Sequence, residues 1–328
     1  MKMISPPFSH TKDTPLSHVA DRLIALAPVL IWSVWIFGAR VITVCLISVL
    51  FCFIFDAAVR RFIFREAYKN NIFDPNNAVY GLLAAFMMPV AVPLWMPVLS
   101  ALLVTAAKNL RYPGGRRIFN PYIFSAAVLN LLFRETMTAF TRPLAYFNAF
   151  TPVLDERLVS GYRVLSPLQY IADGRVYENG LLPQFIGYAS GCVGEIAIAA
   201  LLLGAIWLFI KKEADWRAPL AFVFAMAIPA YLLPSSDSET IYYVLSLLLS
   251  GGAVFAAIYG LTEGTTTPLT KGGKVIAGAV CGLLAFAGRK FFGGYETVYF
   301  AVLAVNLVSP LLEKLIRPAP AGRPEKKR

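Results

Sequence analysis

Two apolar stretches decide the fold: NAVYGLLAAFMMPVAVPL (77–94) and GGAVFAAIYGLTEGTTTPL (251–269). They align at an offset of 175 residues, which pairs Tyr80 with Phe255 and the Pro-Leu ending of the first stretch with that of the second. This similarity predicts that the chain contains two copies of one helical unit.

A second pair of segments supports the repeat. FSAAVLNLL (124–132) and FAVLAVNLV (300–308) align at an offset of 176 residues and pair Asn130 with Asn306. Because each copy would contain five helices, an odd number, the second copy must be inverted in the membrane. The sequence therefore predicts two inverted five-helix repeats.

Both copies of the third helix contain helix-breaking residues. The first carries Pro89, Pro93 and Pro97, and the second carries GLTEGTTTP (260–268). Backbone groups freed at membrane depth are tolerated only where they are buried in protein or line a cavity, so matching breaks point to a site near the midplane. The alternative is that these residues mark helix ends at the membrane surface.

Composition places the whole chain in a membrane. Of its 328 residues, 58% are hydrophobic and 15% are charged, and the mean hydropathy is +0.63. An apolar segment of roughly 20 residues crosses the hydrocarbon core as a helix. We predict an all-α polytopic membrane protein of about ten transmembrane helices, at 19–38, 40–58, 77–94, 95–110, 119–133, 185–210, 217–233, 240–260, 274–290 and 297–316.

The distribution of basic residues predicts the orientation. The net charge is +11, and most Lys and Arg residues fall in alternate connections and at the two termini. This pattern favours a bacterial-type inner membrane with both termini cytoplasmic, and lipid rather than nucleic acid as the partner. The predicted parts are a cytoplasmic N-terminal segment (1–18), a first repeat (19–133), an extracytoplasmic loop (134–184), a second repeat (185–316) and a basic cytoplasmic tail (317–328).

Four polar residues in or beside the apolar segments are candidates for an ion or proton path. Glu195 lies within a span, where a carboxylate needs a protein or water partner. Glu263 lies among threonine hydroxyls, and Asn120 and Asn306 supply carboxamides at or inside helices. Helix capping is the structural alternative for Glu263 and Asn120. Glu195 has a similar alternative, as a structural carboxylate bound to neighbouring backbone.

Several other site classes are excluded by motif. The four cysteines lie singly in apolar spans, and both histidines, His10 and His18, lie in the N-terminal segment, so neither a zinc site nor an intramembrane haem is expected. The chain contains no nucleotide-binding glycine loop and no metalloprotease or hydrolase motif. A catalytic metal is therefore not predicted.

Several motifs resemble those of one family. GCVGEIAIAALLLGAIWLF (191–209), DWRAPLAF (215–222), SPPFSH (5–10), FNP (119–121) and the C-terminal stretch 249–318 resemble the RnfD family of the Rnf electron transport complex. That family is homologous to the NqrB membrane component of the sodium-pumping NADH:quinone reductase. The resemblance covers essentially the whole chain, with Glu263 standing where the family has Asp.

The resemblance implies a component of an ion-translocating membrane oxidoreductase. Such a component has ten helices in two inverted repeats and works with other membrane and flavoprotein subunits to couple electron transfer to Na⁺ or H⁺ transport. The family carries FMN, attached through its phosphate to a Thr in D-x-x-[ST]-x-A-T-P-L. A second, non-covalent flavin such as riboflavin is also implied.

The flavin-attachment motif is only partly kept. SGYRVLSPL (160–168) stands in its place, with Ser166 at the acceptor position and three of the preceding motif residues changed. TTTPL (265–269) mimics the end of the motif, but it lies on the predicted cytoplasmic side. Two alternatives stay open: a flavin-free paralogue that acts as a scaffold, or a channel or transporter with the architecture of urea and ammonium channels.

Overall fold

The computed structural model describes residues 15–63, 73–113, 115–144, 164–175, 177, 180–234, 240–293 and 297–316. The regular secondary structure of the described residues is helical, with a single isolated β-bridge. The helices are α1 (Pro15–Phe37), α2 (Arg40–Ala58), α3 (Asn76–Phe86), α4 (Trp95–Asn109), α5 (Pro121–Leu132), α6 (Arg134–Met137), α7 (Pro167–Ala172), α8 (Leu181–Ile186), α9 (Ile198–Ile210), α10 (Arg217–Leu232), α11 (Thr240–Leu249), α12 (Ala253–Phe255), α13 (Lys271–Phe292) and α14 (Thr297–Leu315). Single π-turns extend α2 to Ile63 and α12 to Gly260.

The all-α polytopic prediction is confirmed. Four helices, α1, α2, α13 and α14, are long and apolar enough to cross a membrane by length and composition. The pair α11 and α12, bent by 59°, forms a fifth candidate span, and the remaining apolar helices are shorter. Each of the ten predicted apolar segments contains helix, although the count of ten complete spans stays a prediction.

The predicted break within the span 77–94 is confirmed, whereas the predicted span 185–210 is wrong as a continuous helix. The span 77–94 ends its helix at Phe86, and residues 87–94 are irregular. The span 185–210 becomes regular helix only at Ile198, after an irregular buried stretch at 187–197. Proline explains the first break, and closely spaced glycines explain the second.

Helix packing follows the predicted repeat. In the first half α2 packs on α4 and α4 on α5, and in the second half α10 packs on α13 and α13 on α14. Corresponding helices of the two halves also meet, since α1 packs on α9 and α5 on α14. This pairing supports two related five-helix units.

Glycine lets α10 and α13 approach closely. A Cβ atom at Gly278 would lie 2.2 Å from the Ala218 carbonyl oxygen, and one at Gly282 would lie 2.4 Å from that of Phe222. The two glycines are four residues apart and share one face of α13. Small residues at this spacing allow helices in a membrane to pack backbone against backbone.

Two arginines bind aligned carbonyls in the two repeats. Arg40, which is 1% exposed, donates from Nε to the Val90 oxygen at 3.1 Å and from Nη2 to the Val92 oxygen at 2.9 Å. Arg116 donates from Nε to the Thr265 oxygen at 3.3 Å and from Nη2 to the Thr267 oxygen at 2.5 Å. Residues 265 and 267 align with 90 and 92 at the offset of 175 found in the sequence.

Arg40 and Arg116 therefore make equivalent hydrogen bonds, although they do not occupy equivalent positions in the two repeats. Each satisfies carbonyls that are freed where a broken helix stops, as buried backbone oxygens require, Arg40 in its own repeat and Arg116 in the other. Arg40 begins α2, whereas Arg116 lies in the connection from α4 to α5. This shared arrangement of broken segments supports the repeat at the level of single hydrogen bonds.

An ionic cluster links α2 and α4 with the start of α3. The Lys108 ammonium, 2% exposed, lies 3.0 Å from Asp56 Oδ1, 2.8 Å from Asp74 Oδ2 and 2.6 Å from Asn77 Oδ1. Arg60 completes the cluster through Asp56 Oδ2 at 3.0 Å and Asp74 Oδ2 at 3.3 Å. Two cations thus balance two carboxylates, with Lys108 and Asp56 buried and Arg60 and Asp74 partly exposed.

Candidate functional site

Two irregular segments meet inside the helix bundle. The Gly194 amide donates to the Phe86 carbonyl at 2.8 Å, and the Val193 amide donates to the Met88 carbonyl at 3.0 Å. A Cβ atom at Gly194 would lie 2.5 Å from Phe86 Cβ, so only glycine permits this approach. We call this contact, residues 86–88 with 193–194, the crossing.

Small cavities lie at two depths, one on each side of the crossing. The inner cavity, of about 30 Å³, includes Tyr122 and Glu263 in its lining, and the outer cavity, of about 20 Å³, includes Asn130 and Glu195. Tyr122 and Asn130 are eight residues apart on α5, which places the cavities about 12 Å apart along the helix. The inner cavity faces the side that carries the connections 109–120 and 211–217, here called the basic face.

Glu263 is the centre of a polar network in the inner cavity. Its Oε1 lies 3.1 Å from Thr265 Oγ1 and 3.3 Å from the Tyr80 hydroxyl. Two guanidinium groups flank the carboxylate, that of Arg117 at 3.7 Å from Oε1 and that of Arg22 at 3.7 Å from Oε2. The side chain is 7% exposed, so its charge is paired rather than hydrated.

The network continues to the basic face. Arg22 Nε lies 3.7 Å from Glu213 Oε2, and the His18 ring contacts Glu213 Oε1. His18 is half exposed and the Glu213 side chain is mostly buried. A chain of ionisable groups therefore connects the surface with Glu263.

Asn120 and Tyr122 hold the end of the broken helix. Asn120 caps α5 by accepting from the Ile123 amide at 3.4 Å, as its position before a proline predicts. Its Nδ2 also donates to the Gly260 carbonyl at 3.3 Å, while the Tyr122 hydroxyl donates to the Tyr259 carbonyl at 2.5 Å. The capping role of Asn120 is therefore confirmed, and its role in an ion or proton path stays a prediction.

Glu195 occupies the outer cavity beside a second helix break. The Cys192 amide donates to its Oε2 at 3.4 Å, and the backbone of Gly252 also bonds to the carboxylate. Within the part of the chain that the structure describes, no Lys, Arg or His forms an ion pair with Glu195. The side chain keeps partial exposure to the cavity.

Arg289, which sequence reasoning missed, stabilises the break next to Glu195. It donates from Nη1 to the Leu247 carbonyl at 2.6 Å and from Nη2 to the Ser250 and Gly251 carbonyls at 2.9 and 2.7 Å. Its charge acts on Glu195 through space, while its hydrogen bonds go to these carbonyls. Gly251 and Gly252 both have positive φ, which turns the chain between α11 and α12. The signal in the sequence is a charged residue near the end of an apolar span, as for Arg40.

The two asparagines that the repeat aligns, Asn130 and the predicted site residue Asn306, have different environments. Asn130 lines the outer cavity and donates to the Ala126 carbonyl at 2.8 Å. Asn306 is 1% exposed, and neither end of its carboxamide has a hydrogen-bond partner among the described residues. An orphan buried carboxamide is a place where water or an ion compensates.

Ser166 lies in the outer cavity as a helix cap. Its Oγ accepts from the Gln169 amide at 3.3 Å, and the Gln169 side chain accepts from the Ser166 amide at 2.7 Å, which completes a capping box at the start of α7. Residues 145–163, with the first part of the attachment motif, lie outside the described residues.

The geometry of Ser166 does not fit an esterified FMN. The serine is 4% exposed, its hydroxyl is committed to the cap, and the cavity beside it measures about 20 Å³. Such a volume holds about one water molecule and no ring system. The covalent flavin at Ser166 therefore stays a prediction without geometric support, and the non-covalent flavin stays a prediction as well.

These features define a class of protein: a polytopic helical membrane protein with paired broken helices that carry buried carboxylates at two depths. The chain belongs to the NQR2, RnfD, RnfE family, whose profile matches residues 2–322. The family resemblance found in the motifs is confirmed.

Relatives match along almost the full chain. The RnfD protein of Stutzerimonas stutzeri, which belongs to an ion-translocating oxidoreductase complex, is 28% identical over 92% of this chain and 90% of the relative. The corresponding component of the Na⁺-translocating ferredoxin:NAD⁺ oxidoreductase complex of Acetobacterium woodii is 26% identical over 95% of this chain and 92% of the relative. The RnfD protein of Escherichia coli (strain K12 / DH10B) is 26% identical over 98% of both chains.

Proposed function

We propose that this chain is a membrane component of an ion-translocating oxidoreductase complex and that Glu195 relays the transported ion. The family membership and the functions of the relatives support the first part. Other membrane and flavoprotein subunits would complete the complex. The basic face would lie in the cytoplasm of a bacterial-type inner membrane, following the charge distribution.

One observation carries the assignment of the relay: Glu195 is a carboxylate at membrane depth, in a small cavity, without an ion pair to any described residue. An intramembrane carboxylate of this kind marks an ion or proton pathway. Glu263 is different, because two arginines lie 3.7 Å from its oxygens and oppose binding of a further cation. We therefore assign Glu263 to holding the inner network and Glu195 to the relay.

The volumes of the inner and outer cavities favour a small ion as the transported species. Cavities of about 30 and 20 Å³ accommodate a proton carried by water or a largely dehydrated Na⁺ rather than a solute such as urea. Carboxylate, carboxamide and hydroxyl oxygens suit both ions. The crossing separates the two cavities, so in this proposal residues 86–88 and 193–194 move apart when an ion passes.

Loss of the chain is expected to uncouple the complex. Membrane vesicles from a strain without this gene should show little redox-driven ion uptake, and the gene supplied in trans should restore it. Uptake would be followed with a ²²Na⁺ tracer and a pH dye during electron transfer from reduced ferredoxin to NAD⁺ or from NADH to quinone. Uptake that is unaffected by the deletion would refute the proposed function.

Ser166 offers a separate test of the covalent flavin. In Ser166→Ala we expect no change in protein-bound flavin after denaturation, because the hydroxyl caps α7, and a loss of about 1 kcal/mol in stability from the cap. Gel fluorescence and intact mass of protein co-expressed with a flavin transferase would measure this. Ser166→Thr keeps the cap and serves as control, and an FMN adduct that vanishes only in Ser166→Ala would contradict the expectation.

A further inference from the structure

A third cavity is separate from Glu195 and opens on the basic face. It measures about 360 Å³ and is lined by the loop between α4 and α5 and by the segment after α12. This volume falls in the range of small-molecule sites, unlike the two cavities beside the crossing. The lining includes Arg111, Arg116, Arg117, Thr265, Leu269 and Glu313.

The backbone conformation places two arginines, Arg111 and Arg117, side by side at this cavity. Arg111 and Arg117 form an antiparallel bridge, closed by Gly115 at φ +85°, and side chains directly opposite in such a bridge lie close together. Like charges in this arrangement oppose each other and cost stability. In the part of the chain that the structure describes, no hydrogen bond or ion pair joins the Arg111 guanidinium to a partner.

The remaining charges do not neutralise the cavity. Arg116 pairs with Glu313 and also donates to two carbonyls and to the Ser309 hydroxyl. Arg117 contacts Tyr80, Thr265 and Glu263 through Nη1. Glu313 lines the cavity and Glu263 lies behind its lining, so of the three arginines Arg111 is the one without a carboxylate partner among the described residues. A guanidinium has five donors in a planar fork that fits phosphate oxygens, so this cavity is built for an anion with several oxygens.

We propose that this cavity binds the phosphate group of an anionic ligand, either a phospholipid headgroup or a soluble phosphate ester. Leu269, which is 71% exposed, gives the cavity an apolar edge beside the arginines. Basic pockets between helices on the cytoplasmic side are typical sites for anionic headgroups. Bound phosphate would share Arg117 with Glu263 and so contact the inner network.

The test uses the full-length chain purified in detergent and needs no redox turnover, so its result is independent of the proposed function. Native mass spectrometry would compare retention of phosphatidylglycerol with that of phosphatidylcholine of equal chain length. Thermal unfolding with pyrophosphate, against sodium chloride at equal ionic strength, would test a soluble phosphate. Arg111→Gln removes a charge that supports no described contact, and Arg61→Gln removes an exposed charge from the same face outside the cavity.

We expect wild-type protein and Arg61→Gln to bind phosphate alike and Arg111→Gln to bind about tenfold more weakly. Selective retention of phosphatidylglycerol identifies a lipid headgroup as the source. Stabilisation by pyrophosphate without lipid selectivity identifies a soluble phosphate. Absence of both effects, or equal weakening in the two variants, overturns the proposal.

Discussion

Glu195→Gln is expected to lower the number of ions moved per electron by about tenfold or more while the complex still assembles. Glutamine keeps the shape and the backbone hydrogen bonds but neither carries a charge nor exchanges a proton. The carboxylate has no ion pair with a described residue, and the nearby Arg289 keeps its hydrogen bonds to the Leu247, Ser250 and Gly251 carbonyls, so the complex should still assemble. Ion uptake and electron transfer would be recorded in the same vesicles.

Two variants make this result specific. Glu195→Asp keeps the charge with a shorter reach and should retain part of the coupling. Glu135→Gln removes an exposed carboxylate of α6, outside the outer cavity, and should behave as wild type. An unchanged ratio of ions to electrons in assembled Glu195→Gln complex would show that Glu195 is structural.

Lys108→Met is expected to reduce the free energy of unfolding by about 3–5 kcal/mol, because it leaves two carboxylates with only Arg60 as a cation. Asp56 is 1% exposed and cannot recover hydration. Adding Asp56→Asn to Lys108→Met removes the stranded charge and should restore part of the stability. Unfolding by heat or denaturing detergent, followed by size-exclusion chromatography, measures the effect.

A partly exposed ion pair provides the control. Lys274 lies 3.1 Å from Asp215 Oδ2 with a side chain that is 25% exposed, so Lys274→Met should cost less than about 1 kcal/mol. Equal losses in Lys108→Met and Lys274→Met would contradict a stabilising role for the buried cluster.

The cluster also predicts an acid dependence. Burial by itself raises the pKa of Asp74, but hydrogen bonds and the charge of Lys108 outweigh it and lower the pKa to about 2. The ordinary value in an unfolded chain is about 3.9. The folded value is the lower one, so the stabilisation by Asp74 is fully present above about pH 4 and is lost as pH falls towards 2.

Much of the architecture can be predicted from local sequence. Apolar length locates the ten helical segments, and the helix ends at Phe86 and Gly260 fall where proline and glycine enter. Asn120 followed by Pro121 predicts the start of α5, and the structure shows this cap. These features depend on residues within a few positions of one another, so a pattern in the chain is enough.

The irregular stretch 187–197 and the bend at 250–252 are not predicted, because glycines permit a helix to break at these places but do not require it. Such a break is stable only when side chains from distant segments bind the backbone groups that no longer have a partner within the helix. Arg289 does this for the carbonyls of Leu247, Ser250 and Gly251.

By itself, then, the sequence determined the helical membrane class, the repeat and the candidate carboxylates, since apolar length, alignment and charge are properties of the chain. Tertiary structure alone decided which carboxylate is paired, because Arg22 and Arg117 come to Glu263 from distant segments while Glu195 meets backbone. The same holds for the arginine-lined cavity. The electrostatics of a buried group depend on neighbours brought close in space, and local sequence does not encode those distances.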